Sequence, residues 1–370
     1  MRAVGVVPSR KEVRLIDHAH PQVLSGHEVK VRALEVGICG TDREICTFVY
    51  GSPPHGHDYL VLGHESLGCV LEVGDQVTRF KPGDLVVPSV RRPCEHIHCL
   101  SCQNDRQDFC WTGDFTERGI KMTHGFMTEF YVDYEKYFTY APPELREVAV
   151  LVEPLTVAEK GMEQLWKVQE RLPWLPSGAP SSARGLGKNA VVLGAGPVGI
   201  LGAMLFKSQG FNTTVYSRSR KPNRKAELVE SFGVPYLSSE EVSVEELAER
   251  VGNIDVVYEA VGKADISFNV LRVLGMNGAF IFTGIPGPHA PIPVQGDATM
   301  KNIVLKNQVM IGTVNADRAA FESAIANLGI FMKRWPDSVR AVITGRHGID
   351  DFEKLLLGKA VGIKNIICLD

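Results

Sequence analysis

No apolar run in this chain approaches the ~20 residues that a membrane-spanning helix needs, so no membrane partner is expected. Residues 1–10 lack the apolar core of a secretory signal. An excess of one charge is lacking too: 40 Lys and Arg face 43 Asp and Glu, a net charge of −3. That balance provides no broad basic surface, and nucleic acid is not expected as a partner. Internal repeats and low-complexity tracts are absent. What remains is ordinary globular material: 370 residues, 44% hydrophobic and 22% charged. This is enough for two or three domains and excludes disorder as the main description. A cytoplasmic protein is expected.

The 36 glycines favour a loop-rich β or α/β protein. Strand-like runs at 28–36, 67–73, 85–87 and 127–132 are separated by Gly and Pro, as in a compact β domain. Residues 154–172 read as a helix, and the Pro- and Gly-rich 172–187 as a loop. From Asn189 the pattern changes. Apolar strands at 190–193, 213–217, 255–258, 279–282 and 309–311 alternate with helical stretches, as in a parallel sheet covered on both faces. Two further helices are expected around Phe321 and Phe352.

Gly194-Ala195-Gly196-Pro197-Val198-Gly199 follows the first of these strands and opens a helix, with a second strand about 20 residues on. That context makes it a dinucleotide signature. Gly194 permits the turn, Gly196 lets a pyrophosphate approach the backbone, and Gly199 lets helix and strand pack closely. The second strand ends in Ser217-Arg218-Ser219-Arg220-Lys221, with Arg224 close behind. A carboxylate for a free ribose hydroxyl is missing there, whereas Arg suits a phosphate. NADP is expected, with NAD as the alternative.

Two groups of potential metal ligands stand out. Gly63-His64-Glu65, Cys39-Gly40-Thr41-Asp42 and Val152-Glu153-Pro154 offer thiolate, imidazole and carboxylate, a set suited to zinc with one position open. Four of the eight cysteines, Cys94, Cys99, Cys102 and Cys110, lie within 17 residues. In a reducing compartment such a group reads as a closed structural zinc site rather than as disulfides. His96 and His98 are alternative ligands in the same loop.

These motifs together resemble the zinc-dependent medium-chain dehydrogenases over essentially the whole chain. Arg91-Arg92-Pro93-Cys94, Arg106-Gln107-Asp108-Phe109-Cys110, Thr112 to Ile120 and Val152-Glu153-Pro154-Leu155 are similar more narrowly to the glucose 1-dehydrogenases of archaea and some bacteria. Glu153 stands where many alcohol dehydrogenases have cysteine. Four residues separate Cys94 from Cys99 here, where that family usually has two between its first lobe cysteines.

The resemblance implies an α/β fold: a GroES-like β-rich catalytic domain at 1–155, a Rossmann doubly wound parallel-sheet domain at 156–310, and a segment 311–370 returning to the first. It also implies roles. Cys39, His64 and Glu153 would bind a catalytic zinc, with Glu65 as a fourth or exchangeable ligand. Thr41 would orient the reacting hydroxyl and start a proton relay. Glu117, Glu153 and Asn315 would meet the sugar. Phe282, Thr283, Gly284, Thr313, Val314 and Asn315 would edge the nicotinamide, and Lys364 would reach the cofactor. The expected reaction is oxidation of D-glucose, or a related aldose, at C1 to the 1,5-lactone, in a homodimer or homotetramer. The alternatives are an alcohol, polyol or threonine dehydrogenase, or a non-catalytic NADPH-binding protein.

Overall fold

The computed structural model describes residues 1–173, 180–287 and 290–369. The chain forms two units: Met1–Thr156, Asn315–Ile330 and Ile343–Asp370 make the first, and Val157–Val314 and Phe331–Val342 the second. Within the expected return segment 311–370, then, Phe331–Val342 packs with the second unit. Trp335 lies against Phe232, and the hydroxyls of Ser338 and Ser231 are 2.8 Å apart.

The first unit is built around the long strand Glu28–Gly37, central in a seven-stranded sheet. Its alternation of buried Val29, Val31 and Ala33 with partly exposed polar residues is the period of a strand with one face on the core. Glu65–Val73 pairs with it antiparallel, putting Glu65 opposite Gly37. On the other side runs Lys364–Cys368, with Ile366 opposite Gly37. Ile343–Gly348 lies parallel beyond it. Three strands remote in sequence therefore meet at Gly37. The strand expected at 127–132 forms instead at Phe130–Tyr134. Met127 is taken up by backbone bonds with Val4 and Leu62 at a sheet corner.

The second unit contains six parallel strands. In chain order they are Asn189–Leu193, Asn212–Ser217, Tyr236–Ser238, Val256–Glu259, Ala279–Phe282 and Val309–Gly312. Across the sheet they run third, second, first, fourth, fifth, sixth, the doubly wound order whose crevice lies between the first and fourth strands. Ala190 to Leu193 are all fully buried, as a strand covered on both faces requires. Each such Val or Leu contributes roughly 1.5–3 kcal/mol by leaving water. Val152–Gln169 forms the helix expected at 154–172. Of the expected loop 172–187, residues 174–179 lie outside the described residues, and Ser181–Ala183 makes a single 3-10 turn. The helices expected around Phe321 and Phe352 are Arg318–Arg334 and Phe352–Leu356. Among the described residues no helix is long and apolar enough to cross a membrane.

Candidate active site

Where Glu28–Gly37 ends, Ile38 bonds to the Asn365 carbonyl, and the chain turns at Cys39 into the helix Gly40–Ile45. Asp42, in the first turn of that helix and fully buried, accepts from the Cys39 amide (2.9 Å) and the Gly63 amide (3.2 Å). The same carboxylate lies 3.4 Å from His64 Nδ1, in ion-pair range but outside hydrogen-bond alignment. Asp42 thus fixes the backbone on both sides of the cluster and faces one imidazole nitrogen. A carboxylate behind a histidine is how metal-binding imidazoles are commonly oriented.

One donor atom each from Cys39, His64 and Glu65 lies within 4.8 Å of the others, with His64 and Glu65 buried. Thiol, imidazole and carboxylate so gathered fit a zinc ion. Burial would lower the His64 pKa, but Asp42 and Cys39 outweigh it and hold it well above the usual imidazole range. Thr41 Oγ1 is 3.9 Å from the Cys39 sulfur. Glu153 stands outside the three-residue cluster. Its carboxyl is pushed up to about 7 by burial first, with Glu65 and Asp42 adding and His64 and Lys364 opposing. It therefore belongs to the same electrostatic environment.

Lys364, expected to reach the cofactor, donates from Nζ to both Glu65 oxygens (2.7 and 2.5 Å) and to the Ile38 carbonyl (3.1 Å). Burial would lower its pKa; Glu65 and Cys39 reverse this and raise it.

Glu117 sits on Thr116–Arg118, paired across from Arg91. Asn315, at a left-handed φ of 59°, donates to Glu117 Oε1 at 3.0 Å. Two of the residues expected to meet the sugar are thus in contact. Tyr50 is a nearby group that the sequence did not mark. Its hydroxyl pKa is raised by burial first, then by Glu117 and Glu44, while Arg91 and His64 oppose.

The four lobe cysteines also gather, with all sulfurs within 4.8 Å and none in a disulfide. Cys99 and Cys110 are 3.9 Å apart. Burial opposes ionisation of Cys110, but hydrogen bonds with Thr112 and the Gly113 backbone prevail and bring its pKa down to about 6. Low-pKa thiols favour metal ligation. His96 and His98 are exposed and stand outside this cluster; His96 pairs with Asp114.

In the second unit, Gly194 takes φ 98°, open to glycine. A Cβ at Gly199 would lie 2.2 Å from the Gly194 carbonyl oxygen, so only glycine allows this packing. A Cβ at Gly196 would meet nothing within 4 Å, which leaves space before the helix Pro197–Ser208. The free amides at that N-terminus suit a pyrophosphate.

Arg218 is largely exposed beyond Ser217, and its Nε donates to Glu240 at 3.2 Å. Ser219 offers its carbonyl to Tyr236 (2.8 Å). Glu259, another unmarked residue, accepts from the Val261, Gly262 and Gly284 amides at 2.7, 2.6 and 3.0 Å. It thereby ties the loop after the fourth strand to Thr283-Gly284. Phe282 stacks near Phe280 and accepts from the Thr313 amide, and Val314 accepts from Lys160.

Comparison with known proteins agrees with this arrangement. Residues 25–143 match the alcohol dehydrogenase GroES-like domain, and 146–369 the glucose dehydrogenase C-terminus. The glucose 1-dehydrogenase of Methanocella arvoryzae is 36% identical over 99% of both chains. That of Thermoproteus tenax is 38% identical over 89% of this chain and 88% of its own. A structure of Haloferax mediterranei glucose dehydrogenase in complex with NADP, Zn and gluconolactone superposes with a TM-score of 0.88. It is 31% identical and covers 100% of this chain and 99% of that one.

Proposed function

The chain belongs to the glucose dehydrogenase branch of the zinc-dependent medium-chain dehydrogenases, and on that premise we propose that it oxidises D-glucose, or a related aldose, at C1 to the 1,5-lactone with NADP. The observation that carries the reading is the Cys39, His64 and Glu65 cluster, with His64 and Glu65 buried and Thr41 at its edge. Cys39, His64 and Glu153 hold zinc, and Gly194 to Gly199 with Arg218 hold NADP. Once bound, zinc supplies Lewis acidity and the nicotinamide supplies the hydride acceptor.

The chain's own groups do the rest. Thr41 accepts the C1 hydroxyl proton as its own proton passes on to water, while the C1 hydrogen leaves with its electron pair to the nicotinamide, so that one proton is released per turnover. Glu65, paired with Lys364, serves as a fourth or exchangeable ligand. Glu117 and Asn315 accept and donate hydrogen bonds to the sugar. A site whose buried groups expect hydroxyls rejects substrates that lack them. Cys94, Cys99, Cys102 and Cys110 hold a second, structural zinc.

A cytoplasmic homo-oligomer, dimer or tetramer, completes the proposal. The strand Val309–Gly312 is an open sheet edge with Met310 exposed, and Gly296–Leu305 exposes Met300, Val304 and Leu305. Exposed apolar side chains on an edge strand and on the helix before it suit a second copy.

The test is a panel of aldoses, polyols, threonine and simple alcohols with NADP and NAD, followed by absorbance of the reduced cofactor. D-glucose with NADP is expected to give the highest kcat/KM. Faster turnover of a simple alcohol or threonine sinks the sugar reading. No turnover from a protein without a first zinc leaves only cofactor binding.

A further inference from the structure

Glu117 is held through one oxygen. Its Oε1 accepts from Arg91 Nε (3.0 Å) and Asn315 Nδ2 (3.0 Å), and Arg91 Nη2 lies 3.0 Å away. Three donors saturate that oxygen. Among the described residues Oε2 takes no hydrogen bond, yet it is not a sealed, unpartnered atom. It is the oxygen left to meet a ligand.

Arg91 reaches further. It is buried, with its guanidinium 3.6 Å from the Phe115 ring centroid. Its Nη1 donates to the carbonyls of Gln107 (3.4 Å) and Asp108 (3.3 Å), in the turn that delivers Cys110. A second strut leaves the same turn. Arg106 donates to the Asp108 carboxylate (3.0 and 2.9 Å) and lies 3.2 Å from Asp317 Oδ2. Asp317 accepts from the Ala320 amide (3.0 Å) and so fixes the helix start two residues after Asn315. The contacts close a ring that runs from Glu117 through Arg91, the 107–108 turn, Arg106, Asp317 and Asn315 back to Glu117.

Resting on the sugar-oxidising reading above, we propose that Arg91 is a positioning residue that pins Oε1 of Glu117, presents Oε2 to a sugar hydroxyl, and makes sugar affinity depend on the cysteine lobe. The guanidinium is suited to this and an ammonium is not. Its planar fork addresses Glu117 and the turn carbonyls at once, in fixed geometry. A carboxylate so fixed loses little rotamer freedom when the sugar arrives.

The test compares wild type with Arg91→Lys, Arg91→Ala and Arg106→Gln. Each is measured for kcat and glucose KM at saturating NADP, NADPH affinity by fluorescence, zinc content and Tm. Losing the fork should raise glucose KM about tenfold in Arg91→Lys and more in Arg91→Ala. A loss of uniform binding leaves kcat within about threefold. NADPH affinity is expected to stay unchanged. Arg106→Gln, which removes the ties to Asp108 and Asp317 without touching Glu117, should raise glucose KM about threefold, because a loosened support shifts the carboxylate it positions.

An Arg91→Lys protein with lower Tm but wild-type glucose KM overturns the positioning role. Wild-type glucose KM in Arg106→Gln overturns the link to the lobe. If Arg91→Ala does not fold, the other two variants still decide. A wild type that turns over no aldose is a different failure: it overturns the sugar reading itself, and the role given to Glu117 with it.

Discussion

Cofactor choice is expected to rest on single residues. Arg218 stands beyond the second strand of the dinucleotide sheet, where the adenosine ribose belongs. Arg218→Ala is expected to weaken NADP more than NAD. A charge-assisted contact of about 1.5–3 kcal/mol corresponds to roughly ten- to hundredfold. The low end is expected, for two reasons. Arg218 is highly exposed and its charge is screened. Glu240, 3.2 Å away, already competes for the guanidinium. The effect belongs in KM, since the 2′-phosphate is far from the hydride and is bound alike in ground and transition states. The measurement is kcat/KM for NADP over NAD in both proteins; an unchanged ratio makes Arg218 a solvated surface charge. The sequence displayed Arg218 but not Glu240, because the pair is 22 residues apart and meets only when two parallel strands align. The same limit hid Asp42's reach to Gly63 and the claim of Glu65 on Lys364, 299 residues on. Cys39, His64 and Glu65 were legible because each sits in a short motif whose chemistry is local.

Elements were legible where their period was clean. The five strands expected in the second unit fall within a residue or two of their places, since short apolar runs between turn residues leave little choice. Lys364–Cys368 was not foreseen: five residues gain strand character from pairing with a partner more than 300 positions earlier. The cysteine lobe is another element with little regular structure, only Leu100–Gln103 and Gln107–Phe109. Its core is the thiols themselves, with Cys94, Cys99 and Cys102 buried together. So short a loop needs a crosslink, and no disulfide supplies it. Cys102→Ser should therefore lower Tm and bring zinc content to about one per chain, as expected when a closed site contributes folding energy. Metal analysis by mass spectrometry checks this. Unchanged zinc content would remove Cys102 from the ligand set. The exposed His96 and His98 would then be the groups to test.

At the scale of the whole molecule, the chemistry is divided between two units with separate cores. Cys39, His64, Glu65, Glu153, Glu117 and the lobe all lie within Met1–Thr156, whereas Gly194 to Gly199, Arg218, Glu259 and Thr283 lie within Val157–Val314. This division makes binding and turnover separable. Cys39→Ala removes a thiol that is only partly buried, so no large core cavity follows. Asp42 still accepts from the residue-39 amide, because that bond uses backbone alone. The local fold therefore survives, while the open metal site loses a ligand of the kind that defines its geometry. Turnover of glucose should fall below detection. NADPH affinity, read by fluorescence titration, should stay within about twofold, because the residues expected to hold the cofactor belong to the other unit and keep their own core. Zinc should fall to about one per chain, with the lobe still filled. Near-wild-type kcat with only one zinc would show that the first cluster is not the reaction centre. Loss of NADPH binding along with turnover would instead show that the two units do not act independently.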